Sequence, residues 1–169
     1  SDSILHYPHV TLLQGCHEVP ESHFQQFSFS RRHLNMYKLA MKHKVFSMCA
    51  PKVRWADQII LLRTNEGAEF ETWVNPTVPG YDDKTSVAPM FGMWENDLSM
   101  GYMCSWVIRP QEINVFGQDE YGNKKQEKMS GFKARLLMHE LDYLKGSNML
   151  RQALGPDFIV SFPSLLQKE

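Results

Sequence analysis

A histidine and a glutamate lie side by side in the segment MHELDYL, residues 138–144. In the motif His-Glu-x-x-His, two histidines four residues apart share one face of a helix and bind a single metal ion. The glutamate beside the first histidine acts as general base toward the metal-bound water. Here His139 and Glu140 match the motif, whereas Tyr143 stands at the position of the second histidine. The pair indicates metallohydrolase chemistry, but taken alone it is more typical of a half-buried histidine beside a solvated acid.

Two earlier segments change the interpretation of this pair. They are VFSMCAPK at residues 45–52 and ENDLS at residues 95–99. With the histidine segment they resemble, in order, the three motifs of the peptide deformylases: Gly-φ-Gly-φ-Ala-Ala-Pro-Gln, Glu-Gly-Cys-Leu-Ser and Gln-His-Glu-x-Asp-His-Leu. The spacing from Asp97 to Arg109 and Pro110 equals the family's spacing from its cysteine to its Arg-Pro pair. The resemblance covers roughly residues 3 to 150.

The resemblance implies a metal site and a reaction at particular positions of this sequence. Deformylases use Fe²⁺ or Zn²⁺, held by one cysteine and two histidines, to hydrolyse the formyl group of N-terminal formyl-methionine on nascent chains. A glutamine side chain and a backbone N–H stabilise the oxyanion. The corresponding positions here are the metal ligands Asp97, His139 and Tyr143, the general base Glu140, the oxyanion donors Lys52 and Leu98, and the substrate-binding residues Val45, Ser47, Met48 and Trp94.

Three of these positions depart from the family pattern in ways that affect metal binding. Asp97 and Tyr143 replace a cysteine and a histidine, so the site becomes rich in oxygen and one ligand stays protonated near neutral pH. We therefore expect the affinity for Zn²⁺ or Fe²⁺ to fall by orders of magnitude. Lys52 replaces the glutamine, and we hypothesise that its ammonium lies near the metal position and replaces the metal's charge beside Asp97 and Glu140. The alternatives are a charged oxyanion donor in a working enzyme and a solvated lysine at the pocket rim.

The substrate side of the site is altered as well. Val45 and Ser47 stand where the family has glycines, which let a bound peptide come close to the chain. Side chains at these positions should narrow the cleft. We therefore expect formyl-methionyl peptides to bind weakly.

Three functions are open on the sequence alone. The first, which we favour, is a pseudoenzyme that keeps the fold and the pocket and binds a nascent or N-terminal peptide or a protein partner. The second is an active, divergent metallohydrolase, a deformylase or another N-acyl amide hydrolase, that uses Asp97, His139 and Tyr143. The third is a structural protein that acts through an exposed apolar patch.

Two helices are predicted to frame the site. Residues 23–43 contain no proline or glycine, and their apolar side chains recur at steps of three and four, so we expect a long helix with Ser22 as its N-cap. Residues 130–145 are predicted to form the helix that carries the histidine segment. Ser130 is its candidate cap and Gly146 its end.

Short strands are predicted between the helices. The strand-like runs and the hairpin turn lie at residues 45–50, 58–63, 69–74, 106–110, 112–116 and 120–123. Residues 156–160 are expected to form a last strand or a short helix. The order of helix, strands and helix predicts an α+β fold like that of the deformylases, with antiparallel strands around a central helix, in a single domain over residues 1–169.

Composition and charge exclude other classes of protein. The 169 residues are 43% hydrophobic with a net charge of −1, so no basic excess indicates nucleic-acid binding or a broad contact with an anionic membrane. No apolar run approaches the roughly 20 residues of a transmembrane helix. Three cysteines without a CxxC pair argue against a disulfide framework. The chain begins at Ser1 and resembles organellar enzymes, so we expect a removed leader and a mitochondrial location, with the cytoplasm as the alternative.

Overall fold

The fold was examined in a computed structural model that describes residues 3–83, 85–161 and 163. Within these residues it contains two α-helices, α1 (Phe27–Lys42) and α2 (Gly131–Leu144). The strands are β1 (Ser47–Cys49), β2 (Ile59–Leu62), β3 (Glu71–Thr77), β4 (Met90–Glu95), β5 (Met103–Pro110), β6 (Glu112–Gln118), β7 (Lys124–Ser130) and β8 (Ile159–Ser161). The predicted α+β class is confirmed.

The strands form two antiparallel sheets that meet at helix α2. The five-stranded sheet has the order β1-β2-β3-β6-β7, and the three-stranded sheet has the order β4-β5-β8. Helix α2 packs against strands of both sheets, and nearly all of its residues from Ala134 to Leu144 are buried. The charged side chains of Arg135, Glu140 and Asp142 on this helix are therefore almost completely removed from water. In the part of the chain that the structure describes, no helix has the length and apolar character needed to cross a membrane.

Strand β2 packs against helix α2 on one face and against helix α1 on the other. Its sequence IILL shows no polar alternation, and all four side chains are completely buried. Ile60 and Leu62 belong to the hydrophobic cluster around α2, whereas Ile59 and Leu61 belong to a second cluster with α1. Because successive side chains point to opposite faces of a strand, an uninterrupted apolar run marks a strand covered on both faces.

The predicted start of the first helix is wrong. Residues Glu21–Gln25 form a separate 3₁₀ turn, and Gln26 has extended backbone angles of φ −79° and ψ 136° before α1 begins. Ser22 lies inside this turn and caps no helix. The break brings Phe24 back against Phe29, with ring centroids 5.3 Å apart. This tertiary contact outweighs the continuous helical pattern of the sequence.

The end of the second helix follows the prediction more closely. Gly146 has a φ of 77°, a left-handed conformation, and donates its N–H to the Tyr143 carbonyl. Ser130 occupies the N-cap position, but its side chain makes no capping hydrogen bond. Near the end of the chain, both predicted alternatives occur in succession, since a 3₁₀ turn at Pro156–Phe158 leads directly into β8.

Strand β4 is absent from the sequence prediction. It pairs with β5 along its whole length, from Met90 opposite Pro110 to Glu95 opposite Ser105. Its side chains are mostly exposed or half-buried without regular alternation, so the pattern typical of a strand is missing. Gly92 is required here because a Cβ atom at this position would lie 2.6 Å from the Trp106 ring.

Candidate functional site

Helix α2 supplies three of the predicted site residues. His139 and Tyr143 are four residues apart and share one face of the helix, with ring centroids 6.2 Å apart. Glu140 lies on the adjoining face and is almost completely buried. The helix thus delivers an imidazole, a phenol and a carboxylate into the space between the two sheets.

Asp97 meets two of these side chains from the other side of the site. It precedes a short 3₁₀ turn, Leu98–Met100, and its Oδ1 accepts a hydrogen bond of 2.7 Å from the Ser99 N–H. Its Oδ2 accepts from Tyr143 Oη at 2.8 Å and pairs with His139 Nε2 at 2.8 Å. The structure therefore brings together the three predicted metal-ligand positions, with His139 and Tyr143 both bound to Asp97.

His139 lies between two carboxylates. Its Nδ1 is 2.7 Å from Glu95 Oε1, and its Nε2 is 2.8 Å from Asp97 Oδ2. Burial alone would lower the pKa of His139, but the hydrogen bonds to Asp97 and Glu95 outweigh it and raise the pKa to about 10. Both ring nitrogens then carry a proton and donate it, so His139 is an imidazolium with no free lone pair.

Lys52 and Glu140 form a buried ion pair at the bottom of the site. Lys52 Nζ lies 2.9 Å from Glu140 Oε1 and 3.3 Å from Oε2, and the side chains are only 2% and 1% exposed. Burial would lower the pKa of Lys52, but the charges of Asp97 and Glu140 outweigh it, so the pKa is raised and the lysine is charged. Ser47 Oγ adds a hydrogen bond of 2.7 Å to Glu140 Oε2.

Lys52 is placed there by its own local structure. It belongs to the 3₁₀ turn Ala50–Val53, which follows strand β1 and contains Pro51 in its first turn. The carbonyl of Lys52 accepts a hydrogen bond of 2.8 Å from the Leu5 N–H, which fixes the turn against the start of the chain. The side chain then passes Tyr143, with Nζ 4.8 Å from the ring centroid. The alternative that Lys52 is a solvated side chain at the rim of the pocket is therefore wrong.

A second set of charges lies behind His139. Arg109 donates two hydrogen bonds to Glu95, of 2.7 and 2.8 Å, and one of 2.9 Å to Asp142. Arg135 also binds Glu95. Burial would raise the pKa of Glu95, but the hydrogen bonds from Arg109 and His139 outweigh it and hold the pKa well below its usual range. Glu95 is therefore an anion that fixes the orientation and the charge of the imidazole.

No role for Glu95, Arg109 or Arg135 is predicted from the sequence. Glu95 lies inside the segment ENDLS, and both arginines lie in otherwise apolar surroundings along their elements. A charged residue among buried neighbours requires a partner of opposite charge. That signal could have identified the network, although it could not have shown which charges pair.

The predicted residues border one cleft with a volume of about 560 Å³. Its lining includes Val45, Ser47, Met48, Lys52, Trp94, Asp97, Leu98, His139 and Glu140. Tyr143 lies beneath this surface, completely buried. Further apolar side chains complete the lining, among them Phe46 and Phe132, whose rings meet edge to face at 5.9 Å. A cleft of this volume is large enough for a small ligand, such as the end of a peptide.

The donor set does not fit a metal ion. His139 has no lone pair available because both of its nitrogens face carboxylates. Burial and the Asp97 charge raise the pKa of Tyr143, so the phenol keeps the proton that it donates to Asp97. In the ranges that the structure describes, no three His, Cys, Asp or Glu side chains are grouped so that they could hold a metal ion. The Lys52 ammonium adds a positive charge to the same space.

Comparison with known proteins identifies the family. A sequence profile described as Polypeptide deformylase matches residues 1–156. The chain belongs to the peptide deformylase family. Among its relatives are the peptide deformylase of Leptospira biflexa, 25% identical over 151 residues, and that of Halothermothrix orenii, 29% identical over 112 residues. The first alignment covers 85% of this chain and 82% of the relative, and the second covers 66% and 69%.

Solved deformylase structures share the fold. A peptide deformylase from Legionella pneumophila superposes with a TM-score of 0.80 at 21% identity, covering 91% of this chain and 86% of that one. A Plasmodium falciparum peptide deformylase in complex with an inhibitor gives a TM-score of 0.78 at 22% identity, covering 92% and 91%. A deformylase from Synechococcus elongatus in complex with actinonin gives 0.79 at 19% identity, covering 91% and 79%. Each of these alignments covers about nine tenths of the chain, and the fold of this part is that of the peptide deformylases.

Proposed function

We propose that this peptide deformylase family member is a pseudoenzyme that binds the end of a peptide without metal-dependent hydrolysis. One observation carries the proposal, namely that the donors of the metal site are committed to one another and to a buried ion pair. His139 and Tyr143 both hydrogen-bond to Asp97, and Lys52 pairs with Glu140. In this arrangement Lys52 and the protonated His139 together supply the two positive charges that a divalent metal ion would bring.

Glu140 is unsuited to the role of general base in this arrangement. Its carboxylate receives the Lys52 ammonium and the Ser47 hydroxyl, so its negative charge is already stabilised by two donors. Both carboxylate oxygens are therefore engaged, Oε1 by Lys52 Nζ at 2.9 Å and Oε2 by Ser47 Oγ at 2.7 Å, and neither is left free to orient an attacking water. The proposal therefore excludes the family's hydrolysis on two independent grounds, the metal donors and the base.

The retained cleft supports a binding role. Trp94 lines its mouth and is partly exposed, while Met48 is buried in its wall. A cleft with an apolar lining and a charge-balanced floor favours an uncharged, apolar group, such as the first side chain of a peptide. The inhibitor complexes of the Plasmodium and Synechococcus relatives are consistent with a cleft that accepts ligands in this fold. We propose further that a protein partner presents such a peptide to the cleft and that the protein is located in the mitochondrion.

Metal analysis and a formyl-release assay test the proposal. Protein prepared under anaerobic conditions and offered Zn²⁺, Fe²⁺, Co²⁺ or Ni²⁺ should hold far less than one metal per chain and should release no formate from a formyl-methionyl tripeptide. The triple variant Lys52→Gln, Asp97→Cys, Tyr143→His restores the family's donor set and should gain metal. Stoichiometric metal in the unaltered protein, lost in His139→Ala and accompanied by formate release, would instead establish the divergent metallohydrolase.

Calorimetric titration tests the binding role separately. Methionyl peptides with a free amino end and with a formylated end are titrated into the protein, and because Val45 and Ser47 narrow the cleft, the formylated peptide should bind more weakly than at micromolar affinity. Trp94→Ala should weaken binding of the free peptide, whereas Tyr121→Ala, at an exposed ring that does not line the cleft, is a control for the loss of an exposed aromatic side chain. Micromolar affinity for the formylated peptide would contradict the narrowed cleft.

A further inference from the structure

Helix α1 carries a second apolar stripe on the face turned away from the core. Its inner face is formed by buried residues, Phe29, Met36, Leu39 and Ala40. Phe27, Leu34 and Met41 are 79%, 50% and 43% exposed. They follow one another at steps of seven residues, so they lie in a row of about 21 Å along one side of the helix. At 100° per residue this row is opposite Met36. A soluble helix normally needs no apolar side chains on that side.

A row of cations runs beside this stripe. Arg31, Lys38 and Lys42 are exposed and, on the helical wheel, fall within about 100° of the stripe on one flank. Within the residues that the structure describes, none of the three forms an ion pair. The helix contains no acidic residue that could neutralise them. The face thus combines unpaired positive charge with apolar side chains that contact solvent.

The basic character extends well beyond α1. Residues 22–56 contain no aspartate or glutamate but seven of the 18 lysines and arginines, although the whole chain has a net charge of −1. The overall balance that argued against an anionic partner therefore conceals a segregation of charge. The remaining chain carries the negative excess, so this block of the sequence is basic although the whole chain is nearly neutral.

We propose that the outer face of α1, defined by Phe27, Leu34 and Met41 with Arg31, Lys38 and Lys42, docks on an anionic lipid bilayer. Exposed apolar side chains flanked by lysine and arginine are the pattern of helices that lie in the membrane interface. The apolar side chains enter the headgroup boundary, and the cations bind lipid phosphates and carboxylates. A nucleic-acid partner would satisfy the charges but would leave the stripe in water.

The shape of the face favours a fluid surface over a folded protein. A protein partner would need a hydrophobic groove shaped to receive this row of side chains, and protein interfaces of this kind usually pair projecting groups with recesses. Neither the cleft described above nor a second cleft of about 330 Å³ near Arg109 and Asp142 is lined by a residue of α1. A convex helix without a neighbouring recess fits a deformable bilayer surface.

Vesicle co-sedimentation tests the proposal with three variants. The protein is mixed with phosphatidylcholine vesicles containing about 30 mol% phosphatidylserine and, separately, with pure phosphatidylcholine vesicles. Binding should be confined to the anionic vesicles and should weaken as salt increases. The triple variant Arg31→Gln, Lys38→Gln, Lys42→Gln should partition onto the anionic vesicles about 100-fold more weakly, at roughly fivefold per cation. Phe27→Ser, Leu34→Ser should reduce it by at least about tenfold.

The control variant changes the net charge equally at a different place. Lys124→Gln, Lys128→Gln, Arg151→Gln removes three exposed cations outside the acid-free block and should retain binding within about twofold. Circular dichroism and thermal unfolding establish that each variant is folded. Failure to bind anionic vesicles, or equal losses in the control, would overturn the proposal. Saturable binding to an acidic helical peptide or to RNA without vesicle binding would also overturn it and assign the face to that partner.

Discussion

The buried pair of Lys52 and Glu140 makes a quantitative prediction for stability. In the variant Lys52→Gln, the Glu140 carboxylate stays buried at 1% exposure and loses its cationic partner, while Ser47 Oγ still donates to it. Breaking a buried ion pair by removing one partner costs about 3–5 kcal/mol because the remaining charge is uncompensated. For a chain of this length each kcal/mol lowers the unfolding temperature by about 2–4 °C. Lys52→Gln should therefore lower it by about 6–20 °C.

Urea unfolding of a double-mutant cycle isolates the pair. Glu140→Gln in the Lys52→Gln background removes the stranded carboxylate, so the double variant should recover about 2 kcal/mol or more of the loss. Lys133→Gln is the matched control, because Lys133 pairs with Glu71 at 3.0 Å and Glu127 at 2.7 Å but is 25% exposed. Such a partly exposed pair contributes about 0–1 kcal/mol. If the free energy of unfolding of Lys52→Gln lies within about 1 kcal/mol of that of the unaltered protein, the proposal that Lys52 replaces the charge of a metal ion is refuted.

Three further predictions concern regions outside the ion pair. Gly92→Ala should destabilise the protein by about 1–3 kcal/mol in urea, because its Cβ would lie 2.6 Å from the Trp106 ring; an unchanged midpoint would contradict this geometry. Burial lowers the pKa of His33 below its ordinary value, so its contribution to stability is present above about pH 6.5 and is lost as pH falls through the folded pKa. His33→Gln should therefore flatten the change in unfolding free energy between about pH 7 and pH 5. Burial, with the nearby Asp57 charge, raises the pKa of Cys16 to about 12, so Cys16 should react with a thiol reagent about 1000-fold more slowly in the folded than in the unfolded protein.

The sequence predicts the helical part of the site better than the rest of it. The spacing of His139, Glu140 and Tyr143 places them on a helix because a four-residue step returns to the same face. That Asp97 binds both rings depends on how a turn after β4 meets α2, and β4 itself lacks a recognisable pattern. Pairwise contacts between distant segments are set by tertiary packing and cannot be deduced from local periodicity.

Helix α1 shows the same limit in a different form. A continuous pattern without proline or glycine correctly predicts a helix but misplaces its start, because Phe24 turns back onto Phe29. The pattern also cannot distinguish the buried side from the exposed one, since both carry apolar side chains. Only the packing against β2 shows that Met36 faces inward and Leu34 outward.

The contacts among Lys52, Asp97 and Tyr143 also limit the routes by which such a site could change in evolution. Returning Lys52 to glutamine leaves Glu140 and Asp97 with one cation fewer, and returning Asp97 to cysteine removes an anion that Lys52, His139 and Tyr143 all share. Either of these two reversals alone leaves a buried group unmatched, at a cost of several kcal/mol. Reversion of one position at a time is therefore disfavoured, because it lowers the free energy of unfolding before any catalytic benefit can appear.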